Sequence, residues 1–122
     1  MFGKLTEKIL SRLPSRREPG AALVAVSARG LLERREGIER LRAWADVASV
    51  DALVRDGLAS GGQTLLIGFS NRDVLAVGES DPLWRALGEE LPRRLPGVEP
   101  MPQWMLRLAA APGAPLHLFS SR

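Results

Sequence analysis

The order in which hydrophobic periodicities appear constrains this chain most. Between residues 21 and 78 the apolar residues fall in short runs closed by Gly, Asn, Asp and Ser, the pattern of strands joined by tight turns. From residue 81 they recur at three- and four-residue spacing, the pattern of helices. Strands first and helices afterward favour an antiparallel sheet with helices on one face or end, and disfavour alternating βαβ units. The predicted class is therefore α+β, an antiparallel meander closed by two short C-terminal helices.

Leu23, Val24, Ala25 and Val26 form the first run, closed by Ser27-Ala28-Arg29-Gly30, where Gly30 is free to take positive φ. Residues 31–35 return as a second strand, Glu36-Gly37 turns the chain, and residues 38–43 (IERLRA) make a weakly alternating third. Residues 44–50 predict a turn that tucks Trp44, Val47 and Val50 under the sheet, with residues 51–55 extended. Gly61-Gly62 breaks the chain. Residues 64–69 (TLLIGF) and 74–77 read as a hairpin across Ser70-Asn71-Arg72-Asp73.

A helix start follows, with Asp81 as cap and Pro82 at the first helical position. Leu83, Trp84, Leu87 and Leu91 then share a face. Pro92 predicts a kink or stop, because it lacks the donor that a continuing helix needs, and Leu95-Pro96-Gly97 ends the element. Pro102 opens a second short helix with Met105, Leu108 and Trp104 inward, Pro112-Gly113 closes it, and Leu116 and Leu118 alternate in a final strand.

Ahead of this body, Phe2, Leu5, Ile9 and Leu13 line one stripe of an amphipathic helix, with Lys4, Lys8 and Arg12 on the neighbouring stripe. Residues 14–20 (PSRREPG) read as a linker. The organisation is thus a helix over 1–13, a linker over 14–20 and one domain over 21–122 of the 122 residues. Residues 1–17 carry a net charge of +4 against +3 for the chain, so the body is near neutral. Lys4, Lys8, Arg12, Arg16 and Arg17 are the candidate contacts to an anionic membrane or a partner. The same apolar stripe also suits docking on the body itself.

From residues 24–119, the hairpins, Trp44-x-x-Val47-x-x-Val50, Leu65-Leu66-x-Gly68-Phe69, Trp84-x-x-Leu87 and Leu95-Pro96-Gly97 before Trp104 follow one another in order. This succession resembles a group of small uncharacterised bacterial proteins with a pleckstrin-homology-like or GRAM-like roll. The resemblance implies a fold; it implies no catalytic residue. Residues 1–20 lie outside it, and residues 109–113 depart from it where an aromatic precedes the last strand.

The inventory for chemistry is thin. No cysteine is present, which removes disulfides, thiolate metal sites and cysteine nucleophiles. His117 is the single histidine, and alternation turns it away from Leu116 and Leu118 as a surface or edge residue. Glu89 and Glu90 are adjacent on a helix, so they diverge and cannot share a proton. Ser60, Ser70 and Ser80 sit in turn sequences, and Gly61-Gly62 lacks the Lys-Ser/Thr of a phosphate loop. Trp44, Trp84 and Trp104 read as core residues. Arg34, Arg35, Arg40, Arg42, Arg93 and Arg94 are interleaved with Glu33, Glu36, Glu39, Glu89 and Glu90, and no tyrosine supplies a stacking platform, which argues against nucleic acid. No apolar run spans a bilayer.

These features predict a cytoplasmic, non-enzymatic interaction module without cofactor or metal. Its partner is another protein or a second copy in a homodimer. The alternative is a peripheral membrane protein held by the basic N-terminal helix.

Overall fold

The computed structural model describes residues 21–54 and 62–121. The predicted helix over residues 1–13 and the linker over residues 14–20 lie outside the described residues, and so do Lys4, Lys8, Arg12, Arg16 and Arg17. The class is α+β, as the order of periodicities requires. Three strands, β1 (Ala21–Ser27), β2 (Gly30–Arg35) and β3 (Ile38–Ala43), form one antiparallel meander. A single 3-10 turn, Trp44–Asp46, leads into β4 (Val47–Val54), and β5 (Gln63–Phe69) and β6 (Val74–Gly78) follow it. Helices α1 (Trp84–Arg94) and α2 (Met101–Ala110) come next. The last strand, β7 (Leu116–Ser120), then returns to the free side of β4, giving a second antiparallel sheet in the order β6-β5-β4-β7.

Local chemistry dictates the turns. Glu36 and Gly37, the two residues joining β2 to β3, take φ of 54° and 81°. That doubly left-handed loop matches the twist of the strands it joins. In the β5–β6 hairpin, Arg72 N donates to the Phe69 carbonyl and Phe69 N to that of Asp73, both at 2.9 Å. Arg72 closes the three-residue loop at φ 77°, and Asn71 Oδ1 accepts from Asp73 N at 3.0 Å. Gly30 takes φ 153° and packs so tightly on β3 that an added Cβ would lie 2.1 Å from the Arg42 carbonyl oxygen.

Alternation on each strand sends one set of side chains inward. Leu31 of β2, Val50 of β4, Leu65 and Ile67 of β5, and Leu75 of β6 are fully buried. They join Leu87 and Leu91 of α1 and Trp104 and Leu108 of α2 in one cluster. Trp84 and Trp104 cross the α1–α2 contact edge to face, 5.9 Å apart at 74°, a favoured aromatic geometry.

Three boundaries differ from the sequence reading. Helix α1 begins at Trp84, and Pro82 precedes it in a turn; Asp81 still satisfies the entry, its Oδ1 accepting from Leu83 N at 2.8 Å. The helix runs through Pro92 to Arg94, because Leu91 and Leu95 are buried on either side of it and Leu95 N closes the last turn on the Leu91 carbonyl at 2.9 Å. Residues 47–50, read as part of a turn, belong to β4; only Trp44–Asp46 turn.

Candidate functional site

Two features stand out from the fold: a buried charge network that ties the sheets together, and a sheet face on the side away from Val50 and Ile67 with little charge.

The network grows from β2 and β3. Alternation puts Glu33 in phase with Leu31, so its carboxylate enters the interior and is 1% exposed. Arg42 of β3 meets it, donating from Nε and Nη2 to Oε2 at 3.1 and 2.9 Å. Arg35 adds bonds to both carboxylate oxygens, at 3.3 and 3.2 Å. Arg42 also reaches the second sheet: Nη2 donates to Asp73 Oδ2, Nη1 to Asn71 Oδ1 at 3.4 Å, and the guanidinium lies 4.6 Å from the Phe69 ring centroid. Arg35 Nη2 completes the link through the Val74 carbonyl at 3.2 Å.

Two guanidinium groups therefore face two carboxylates with no net charge left over. Burial opposes ionisation of Glu33, yet bonds and charge from Arg35 and Arg42 outweigh it and hold the carboxyl below its ordinary value. Burial likewise opposes the charge of Arg42, and the bonds to Asp73 and Glu33 more than offset it, so its pKa is raised. The Asp73 carboxyl is lowered by its bonds from Arg42 and then Asn71. The buried members, Glu33 and Arg42, find their partners within the protein, so this part of the network organises structure.

The second feature is the outward face of sheet β6-β5-β4-β7. Ser49, Asp51 and Leu53 alternate with the buried Val50 and Ala52 on β4. Registry sets Asp51 beside Leu66 of β5 and Leu66 beside Ala76 of β6, while Ser49, Gly68 and Val74 make the next row. Leu53 pairs with Thr64, which is only 5% exposed, and Thr64 with Gly78. Leu53 and Leu66 are half-buried, and Val74 is 51% exposed. On the far side His117 of β7 stands opposite Asp51, its Nδ1 bonded to Asp51 Oδ1 at 2.7 Å. A β-bulge that displaces Leu118 makes this register, since Val50 pairs with Phe119 and Asp51 with His117.

Among the described residues, Asp51 and His117 are the only ionisable side chains on these rows, and they are hydrogen-bonded to each other. An imidazole oriented by a carboxylate is one half of a base-activated nucleophile arrangement. Here both side chains are open to water, at 36% and 59% exposure, where developing charge is stabilised far less than in a water-excluded site. His117 is thus the surface residue that alternation predicts, with one unforeseen partner.

The other sequence candidates do not converge. Glu90 pairs with Arg94 at 2.8 Å and Arg93 at 3.6 Å, while Glu89 points to solvent. Ser70 and Ser80 are exposed in turns, and Ser60 and Gly61 lie outside the described residues. Trp44, Trp84 and Trp104 are all buried. Arg34 is paired with Glu39 at 2.6 Å across the outer face of the first sheet. Among the described residues no cluster of three metal-ligating side chains occurs, and no helix is long and apolar enough to cross a membrane. Compared with known proteins, the chain matches no family model, no curated protein and no solved structure.

Proposed function

We propose that this protein is a cytoplasmic, non-enzymatic interaction module that binds another polypeptide through the outward face of sheet β6-β5-β4-β7. One observation carries the reading. A solvent-facing antiparallel sheet ordinarily alternates core residues with charged or polar ones, whereas this face offers Leu53, Leu66, Val74 and Ala76 with a single hydrogen-bonded ionisable pair, Asp51–His117. Interface cores are depleted of charge in the same way, and the open space over Gly78 leaves room for a second surface to approach. The first sheet makes the contrast, because its outer face carries the Arg34–Glu39 ion pair.

The test is capture from the native host with the full chain as bait, wild type against Leu66→Lys and Ala76→Lys, followed by cross-linking of bound material. Proteins held by the wild type and lost by both variants support the reading. Identical capture by all three baits would discard this face as the binding surface.

A further inference from the structure

We draw no further inference here: the strongest candidate, the outward face of sheet β6-β5-β4-β7, where half-buried Leu53 and Leu66 and exposed Val74 lie beside the hydrogen-bonded Asp51–His117 pair, is the site already described, and nothing in the structure shows what covers it.

Discussion

Arg42 reaches Glu33 on the diagonal. The register sets Arg42 opposite Leu31 and Glu33 opposite Arg40, yet Nε and Nη2 of Arg42 converge on one Glu33 oxygen. Taking the diagonal leaves the rest of the guanidinium free to meet Asp73 and Asn71 in the hairpin of the other sheet. One side chain thereby fixes where the two sheets sit. The interior of this small fold carries a charged clasp where an apolar contact would be simpler.

Breaking that clasp from one side leaves a charge stranded. Arg42→Met should destabilise the protein by about 3 kcal/mol, the lower end of the cost of removing one partner of a buried ion pair, because Arg35 still holds Glu33; Glu33→Leu should cost a similar amount, because Asp73 still holds Arg42. The double variant should recover at least about 1 kcal/mol relative to the sum, since residues in one network couple. Urea denaturation of the four proteins measures this cycle. Simple additivity would show that Arg42 and Glu33 act independently.

The same clasp sets the acid limit. Folding lowers the carboxyl pKa of both Glu33 and Asp73, so the unfolded chain takes up these protons first as pH falls. Stability that is full near neutrality should decline once pH drops through the unfolded carboxylate range, about pH 4, and continue down through the lower folded values. Thermal melts between about pH 7 and pH 3 should show a shallower decline for Glu33→Gln than for wild type. Parallel curves would mean that Glu33 does not take part in the linkage.

Glycine substitutions should rank by what each Cβ meets. At Gly30 it would sit 2.1 Å from the rigid Arg42 carbonyl, forcing β2 and β3 apart and disturbing the clasp, so Gly30→Ala should cost several kcal/mol, among the large effects known for single changes. At Gly37 the space is open but φ is 81°, and Ala should cost about 1 kcal/mol of left-handed strain. At Gly88 the nearest atoms are Cε and Sδ of Met101, the flexible end of a side chain, and the helix gains about 1 kcal/mol from Ala. Gly88→Ala should therefore be near neutral. Chemical denaturation of the three variants checks the order, and a Gly37→Ala protein weaker than Gly30→Ala would contradict it.

What could be read beforehand follows the range of the forces involved. Hairpins were legible because Glu36-Gly37 and Ser70-Asn71-Arg72-Asp73 specify their loops locally. The helix faces were legible because Trp84, Leu87 and Leu91 keep a strict spacing. The clasp was hidden in a run of adjacent charges: the sequence GLLERR does not say whether Leu31 or Leu32 faces inward, and that choice alone decides whether Glu33 is buried. The interaction face was hidden for the opposite reason. TLLIGF is apolar on both sides, so the outward Leu66 looks like the inward Leu65 and Ile67. A signal did exist, since none of the positions of β5 and β6 carries a charge, which suits a sheet covered on two sides. The bond between Asp51 and His117 depends on a bulge in β7 and had no signature in sequence at all.

Pro92 is where local chemistry and packing disagree most openly. It lies inside α1 with no N–H to give the Gly88 carbonyl, yet the helix continues because Leu91 and Leu95, on either side of it, are buried at 0% and 3% exposure. Interior proline costs about 3 kcal/mol against alanine, offset by up to about 1 kcal/mol through a stiffer unfolded chain. Pro92→Ala should therefore stabilise the protein by about 2 kcal/mol, raising Tm by roughly 8 °C at this chain length. Calorimetry of the two proteins checks it. An unchanged or lowered Tm would mean that the proline bends α1 onto the sheet in a way alanine cannot reproduce, and that the core, not the helix, selected the residue.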